Sequence, residues 1–174
     1  MPASSQDEQY QSAAAEFGRA LERLARGYEA DAERRRDLLQ DIHLALWRSF
    51  ALFDGRCSTR TWVYRVAHNA AADHVLQRKR AKAETPLDLD DLERQADATD
   101  IEAEAGTHQA LERLTRIIRR LKPPDAQVML LYLEDLDAAA IAEITGLSAG
   151  SVATRIHRIK AYLAKQFREG GRHD

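Results

Sequence analysis

Cysteine and the residues that break helices are scarce in this sequence. Cys57 is the only cysteine, which excludes an intrachain disulfide and fits a reducing compartment. There are only four prolines and eight glycines, and no run shows the alternation of Val, Ile and aromatic residues that marks strands. Alanine, leucine, arginine and glutamate dominate instead, and all four favour helices. The sequence therefore predicts an all-α protein.

Long apolar segments and common catalytic signatures are also missing. No stretch approaches the ~18–20 apolar residues of a membrane-spanning helix, and residues 1–17 do not resemble a secretory signal. The sequence has no Gly-rich phosphate loop, no C-x-x-C and no H-E-x-x-H, and no histidine has a glutamate three residues before it. We therefore expect a cytoplasmic protein that contacts no membrane and has no enzymatic activity, metal or cofactor.

The charge is unevenly distributed along the chain. The formal net charge is −2, but residues 1–80 carry a net +2, residues 81–107 a net −7 and residues 108–174 a net +3. The overall acidity therefore comes from one middle segment, and both ends are mildly basic. The charge distribution therefore allows a basic surface suited to nucleic acid at each end.

The first 82 residues predict a small helical domain. Residues 11–27 and about 31–53 have amphipathic spacing, and Gly27 and the Asp54-Gly55 pair offer stops. A third helix, capped by Ser58 or Thr59, continues towards a basic run at residues 78–80. Three helices of this length can share one core.

Residues 83–107 predict a flexible acidic linker. This segment holds nine acidic residues and no aromatic residue, so it offers little apolar surface to offset its ordering entropy. It divides the chain into a domain at 1–82 and a second domain at 108–174. In the second domain we expect four helices, at about 108–121, 126–133, 138–145 and 149–167.

The last two of these helices fit a helix-turn-helix that binds DNA. Asp137 and Ser148 can cap the two helix starts, and Gly146 allows a left-handed backbone at the turn. At ~100° per residue, four polar side chains of the last helix point away from the core. Contacts in the major groove require polar side chains on such an outward face. Two cations lie on its flanks and suit phosphates. The outward set is Ser151, Thr154, His157 and Arg158, and the flanking cations are Arg155 and Lys160.

Two strings in the first domain extend this interpretation. One runs Asp37-Leu38-Leu39-Gln40-Asp41-Ile42 and on to Leu46-Trp47; the other runs Thr59-Arg60-Thr61-Trp62-Val63-Tyr64-Arg65-Val66-Ala67-His68-Asn69 and on to Asp73-His74. With these strings the chain resembles the extracytoplasmic-function (ECF) class of bacterial RNA polymerase sigma factors. The likeness covers about residues 12–80 and 108–167, and both motif sets stand in the family's order.

The resemblance implies a role for each motif. One set would dock on the β′ clamp helices of core RNA polymerase: Asp37, Leu38, Gln40, Asp41 and Trp47. A second set would recognise and melt the −10 element: Arg56, Arg60, Trp62, Tyr64, Arg65, Asn69, Arg78, Lys79 and Arg80. The loop at residues 54–58 would capture a flipped base, and the outward residues of the last helix would contact the −35 element.

Trp62 and Tyr64 of the −10 set cannot both face DNA. Trp62 and Tyr64 are two residues apart and point to different sides of a helix, so one of them belongs to the core. The spacing from Trp62 to Val66 favours Trp62 as that core residue. An exposed aromatic side chain beside arginines can stack on unpaired bases, at ~1–3 kcal/mol per base.

The resemblance also implies partners. These are core RNA polymerase, through its β′ clamp helices and β flap, together with promoter DNA and an anti-sigma factor. Tight binding to DNA alone is not expected, because two weak domains gain affinity only when polymerase fixes their spacing. An acidic linker could occupy a channel built for nucleic acid, since it mimics phosphate charge.

Several positions depart from the family pattern and put the promoter sequence in doubt. His43 replaces an apolar or aromatic residue, and His68 and Ala153 stand where cations are common. Asp125 follows the double proline where a basic residue is typical, and residues 138–140 are three alanines.

Two rival classes remain. A helix-turn-helix repressor would explain residues 108–167 but not the first-domain strings, and it would bind duplex DNA alone. A polymerase-binding anti-initiation protein would need only the docking motif.

Overall fold

The computed structural model describes residues 5–83, 85–96 and 107–169, and within them it contains α-helices and no β-strand. The chain forms two compact units, Met1–Glu84 and Thr85–Asp174. The all-α prediction is confirmed. The helices are α1 (Gln6–Tyr28), α2 (Ala32–Phe50), α3 (Thr59–Ala81), α4 (Leu89–Ala96), α5 (Thr107–Arg120), α6 (Pro123–Leu133), α7 (Ala138–Thr145) and α8 (Ala149–Glu169).

Helices α1, α2 and α3 build the first unit around one apolar core, as predicted. All three start at a side chain that accepts hydrogen bonds from first-turn amides: Ser5, Asp31 and Ser58. These caps satisfy donors that a helix start leaves unpaired, at about 1 kcal/mol each. The fully buried side chains include Leu21, Leu38, Ile42, Leu46, Val63 and Ala67.

Helix α1 is longer than its pattern predicted. It begins at Gln6, because the Ser5 side chain and Glu8 form a reciprocal capping box. Gly27 does not stop it. Helix α1 runs through Gly27 to Tyr28, and both residues are buried, so packing in the core outweighs the weak helix propensity of glycine.

Helices α5 to α8 form the core of the second unit, and α7 and α8 are the predicted helix-turn-helix. The Asp137 carboxylate accepts from the Ala140 amide at 2.8 Å, and the Ser148 hydroxyl accepts from the Ser151 amide at 3.1 Å. Gly146 between the helices has φ of 74°, the left-handed conformation predicted for it. Val152 and Ile159 of α8 are fully buried.

The prediction of a flexible linker over residues 83–107 is wrong for its first half. Leu87 donates to the Arg120 carbonyl and accepts from the Lys122 amide, and α4 follows directly. Leu89 and Leu92 are buried in the second unit, at 3% and 2% exposure. These two leucines supply the apolar surface that offsets the ordering entropy of the segment. Residues 97–106 of the predicted linker lie outside the described residues.

Candidate functional site

The outward face of helix α8 is the first candidate surface. Thr154 and His157 are exposed, and Ser151 is half-buried. The Thr154 hydroxyl donates to the Gly150 carbonyl at 2.9 Å, which fixes its orientation on the helix. The opposite side of α8 is sealed by Val152 and Ile159, so the exposed polar side chains are directed away from the core.

Arg155 is held by the body of the second unit. Its Nε donates to Oδ1 of Asp125 at 3.0 Å, and its Nη1 donates to the Ser151 hydroxyl at 3.0 Å. The Asp125 side chain is only 9% exposed and that of Arg155 is 31% exposed. The acidic Asp125, at a position where the family typically has a basic residue, therefore has a structural explanation. The carboxylate binds a cation of the recognition helix instead of supplying a surface cation.

Arg158 is engaged by helix α4. Its Nη2 lies 2.5 Å from Oδ1 of Asp90 and 3.2 Å from Oε2 of Glu93. The hydrogen bond to Glu93 raises the pKa of the Arg158 guanidinium, against a smaller opposing effect of burial, and the bond to Asp90 raises it further. The sequence predicted an outward Arg158 available to DNA. The structure places it instead in two ion pairs, with its side chain 32% exposed.

Lys160 lies over an aromatic ring of the same unit. Its Nζ is 5.5 Å from the centroid of the Tyr132 ring, within the range of a cation–π contact. The residue remains exposed. Its charge is therefore available to a phosphate at the edge of α8, as the flanking position predicted.

The second candidate surface is the outer face of helix α3. At ~100° per residue, Trp62, Arg65, Asn69 and Arg80 project from one side of this helix. Asn69 and Arg80 are exposed, and Trp62 and Arg65 are half-buried. This side therefore carries a row of cationic, amide and aromatic groups along the length of α3. Arg60 is also exposed, in the first turn.

The choice between Trp62 and Tyr64 for the core was wrong. Tyr64 is the buried residue, 5% exposed, with its ring 6.2 Å from that of Phe17. Trp62 is half-buried. Its indole donates to the Ser49 hydroxyl at 2.9 Å, and its ring lies 5.2 Å from Phe53. The Val66 spacing misled because Val66 itself is only half-buried.

Two basic residues at the end of α3 do not face solvent as predicted. Lys79 is buried, at 4% exposure. Arg78 contacts the buried Glu29, with 3.1 Å between Nη1 and Oε2. His74 contacts the same carboxylate oxygen at 3.0 Å. Arg78 therefore ties α3 to the end of α1, and Lys79 is buried, which contradicts the assignment of both residues to phosphate contacts and leaves Arg80 as the exposed cation of the run.

Two buried polar residues of the first unit, Glu29 and His68, have shifted pKa values. Burial disfavours the charged form of Glu29, but hydrogen bonds from His74 and the Asp31 amide, together with the charge of Arg78, lower its pKa overall. Burial lowers the pKa of His68 to about 3. Its Nδ1 lies 2.8 Å from the hydroxyl of Tyr28, so His68 is a neutral core residue and not a lost phosphate contact.

The third candidate surface is one side of helix α2. Asp37, Gln40 and Asp41 are exposed there, as the docking motif predicted. Leu44 lies on the same side and is 45% exposed, a residue that the sequence analysis missed. Its i+3 spacing from Asp41 and i+7 spacing from Asp37 could have identified it. We define Asp37, Gln40, Asp41 and Leu44 as the docking face.

The two remaining residues of the docking motif, Leu38 and Trp47, do not lie on the docking face. Leu38 is fully buried, so it belongs to the core and cannot contact a partner. Trp47 is 40% exposed and its indole donates to the Asp7 carboxylate at 2.7 Å. The Gln6 amide donates to the Trp47 carbonyl at 2.7 Å. Trp47 is thus held by the start of α1 beside the docking face.

The loop between α2 and α3 carries one exposed cation. Arg56 pairs with Asp54 at 2.9 Å, and its side chain is 90% exposed. Gly55 between them has φ of 76°, a conformation that favours glycine. Cys57 is a free, half-buried thiol. The loop backbone is therefore ordered by a local ion pair while the Arg56 side chain remains accessible.

Two other kinds of site are absent from residues 5–83, 85–96 and 107–169. Within them no cluster of three or more His, Cys, Asp or Glu side chains could hold a metal ion. No helix among them combines the length and hydropathy needed to cross a membrane.

Comparisons with known proteins match both units. The family model for sigma-70 region 2 matches residues 14–81, and the model for sigma-70 region 4 matches residues 111–163. The chain is 31% identical over 148 residues to the ECF RNA polymerase sigma factor SigM of Mycobacterium tuberculosis, covering 84% of this chain and 71% of SigM. It is 28% identical to the ECF sigma factor SigW of Bacillus subtilis, covering 76% of this chain and 75% of SigW.

A solved structure shares the fold. CnrH, determined in complex with the cytosolic domain of CnrY, has a TM-score of 0.64 and 20% sequence identity, covering 91% of this chain and 87% of CnrH. Sigma factors of this class bind core RNA polymerase and promoter DNA. On the strength of the region 2 and region 4 matches and of the likeness to SigM, this chain belongs to the ECF RNA polymerase sigma factors and acts in promoter-specific transcription initiation.

Proposed function

We propose that the chain binds the β′ clamp helices of core RNA polymerase through the docking face of α2. The observation that carries this proposal is the exposed Leu44 among Asp37, Gln40 and Asp41, opposite the buried Leu38. An apolar side chain surrounded by carboxylates is suited to a basic partner surface with an apolar centre, because the rim steers association and the centre supplies binding energy. The second unit would contact the β flap.

For the −10 element, the proposed contact is the outer face of α3 with the preceding loop. Trp62 offers an indole held by Ser49 and Phe53, and such a preordered ring can stack on an unpaired base. Asn69 can hydrogen-bond a base edge, and Arg60 and Arg80 can contact phosphates. Arg56, on the loop of residues 54–58, would help to hold the base displaced from the non-template strand.

For the −35 element, Thr154 and His157 are proposed to contact bases in the major groove. Both are exposed on the side of α8 opposite its buried apolar residues. Ser151 and Arg155 act as a pair, since the guanidinium donates to the hydroxyl. Lys160 would contact a phosphate at the edge.

A protein regulator and a cytoplasmic location complete the proposal. The similar CnrH was solved in complex with the cytosolic domain of CnrY, which supports an anti-sigma partner for this chain. The chain acts as a specificity factor, without catalysis of its own.

A binding assay separates this function from that of a helix-turn-helix repressor. Labelled genomic promoter fragments are incubated with the protein, with core polymerase, or with both. We expect specific retention only with both, because each domain binds DNA weakly alone. Specific retention by the protein without polymerase would support the repressor instead.

A further inference from the structure

We propose that helix α4 competes with promoter DNA for the recognition helix α8, so that the acidic segment lowers DNA affinity until it is displaced. This inference rests on the proposed −35 role of α8. Asp90 and Glu93 of α4 both contact the Arg158 guanidinium, at 2.5 and 3.2 Å. Two carboxylates on one guanidinium reproduce the charge and the acceptor geometry that DNA phosphates offer.

The position of α4 is fixed by more than these ion pairs. Leu89 and Leu92 are buried in the second unit. The start of α4 is capped reciprocally, because the Asp88 carboxylate accepts from the Asp91 amide at 2.8 Å and the Asp91 carboxylate accepts from the Asp88 amide at 3.2 Å. The acidic helix is therefore docked by its apolar side and presents its carboxylates to α8.

The strand-like contact just before α4 holds the chain at the α5–α6 turn. Leu87 exchanges two backbone hydrogen bonds with this turn, from its amide to the Arg120 carbonyl at 3.0 Å and from the Lys122 amide to its carbonyl at 2.6 Å. This contact can remain while α4 itself leaves, since it precedes the helix. The geometry therefore allows α4 to undock about a fixed point without unfolding the helix-turn-helix.

Competition by α4 should lower the apparent DNA affinity by an amount that depends on how much of the protein is in the docked state. While Asp90 and Glu93 occupy Arg158, this cation is neutralised, and two further negative charges lie at the start of α4, at Asp88 and Asp91. DNA must therefore replace the carboxylates before Arg158 can contact a phosphate. If the docked state holds about 90% of the molecules, its release raises the apparent affinity roughly tenfold.

The test measures duplex affinity of the full chain by fluorescence anisotropy. The probe is a fluorescein-labelled duplex of mixed sequence at low salt, where phosphate contacts dominate binding. The released variant is Asp90→Asn/Glu93→Gln, and the matched control is Glu112→Gln/Asp135→Asn. The control removes the same charge from exposed residues of the same unit. We expect the released variant to bind roughly tenfold more tightly and the control to change affinity less than about twofold, because distant surface charges are screened.

Two further measurements keep the test decisive. Adding Arg158→Gln to the released variant should remove most of its gain. In the wild-type chain, hydrogen exchange at the amides of residues 92–94 should accelerate when DNA saturates the protein. Equal affinities for the released and control variants overturn the proposal, as does unchanged exchange at saturation.

Failure of the proposed −35 role has a different signature. In that case Lys160→Gln leaves the affinity of the released variant for the mixed-sequence duplex unchanged, and both ideas fall. If Lys160→Gln weakens binding but release gives no gain, only the competition by α4 is wrong.

Discussion

Arg155 of the recognition helix is bound to Asp125 of α6, with 3.0 Å between Nε and Oδ1, and the same guanidinium donates to the hydroxyl of Ser151. The pair connects the outward surface of α8 to the first turn of α6. Under the proposed −35 role of α8, Arg155 contacts DNA and Asp125 is the residue that positions it.

Replacing Asp125 by Asn should destabilise the second unit. The change leaves the half-buried Arg155 without its carboxylate, and breaking such a pair costs roughly 1–3 kcal/mol at this degree of burial. Urea unfolding followed by circular dichroism measures the loss. The control is Asp135→Asn, an exposed residue. Equal stability of the two variants would contradict a structural role for the Asp125–Arg155 pair.

Alanine substitutions at Tyr64 and Trp62 should have different effects, the first on folding and the second on promoter melting. Tyr64→Ala empties a core position and should lower the free energy of unfolding by about 3–5 kcal/mol. Trp62→Ala should cost less stability, because this side chain is half-buried. With polymerase, Trp62→Ala should slow open-complex formation on duplex promoter DNA and have little effect on a pre-melted bubble. Equal loss on both templates would argue against base stacking by Trp62.

The buried His68 should make stability depend on pH. Its folded pKa is about 3 and its ordinary value is 6.5, so between these values the unfolded chain binds a proton that the folded chain does not. The free energy of unfolding should therefore fall as the pH drops below 6.5, by about 1.4 kcal/mol per unit. The lowered pKa of Glu29 removes further stability only at more acidic pH.

Urea titrations at several pH values between neutral and mildly acidic test this dependence. His68→Gln should flatten it, because glutamine does not titrate and can still accept the Tyr28 hydroxyl. His157→Gln, at an exposed position, is the control and should keep the wild-type slope. A wild-type slope in His68→Gln would show that another group dominates.

Leu44 should matter for polymerase binding but not for folding. It is 45% exposed at the centre of the docking face, and truncating a buried interface anchor typically weakens binding roughly tenfold or more. Leu44→Ala should show this loss in a titration with labelled core polymerase, with an unchanged unfolding midpoint. Leu52→Ala is the control, since Leu52 is a 79% exposed leucine beyond the end of α2. Equal affinities would exclude Leu44 from the interface.

Local patterns predicted most of the fold because the responsible interactions are local. The caps at Asp137 and Ser148 and the turn at Gly146 each depend on a few neighbouring residues, and the structure confirms all three. The amphipathic spacing over about residues 31–53 predicted α2 for the same reason, although the docking motif grouped the buried Leu38 with the partner contacts.

The predictions that were wrong concern residues whose contacts lie far away in the sequence. Helix α4 folds because Leu89 and Leu92 find apolar surface on helices that come after them in the chain, and no local pattern supplies that surface. Arg78 points inward because the buried Glu29, 49 residues earlier, provides its counter-charge. Pattern analysis finds which residues are charged or aromatic, but a tertiary partner decides which of them remain available to DNA.

Run-off transcription measures directly whether the chain directs initiation at specific promoters. Core polymerase and a pool of genomic promoter fragments are transcribed with the wild-type chain, with Leu44→Ala, with Thr154→Ala/His157→Ala, and without the chain. We expect initiation at specific sites only when the chain is present, with fewer transcripts from both variants. Transcripts that are the same with and without the chain would contradict a role in promoter-specific initiation.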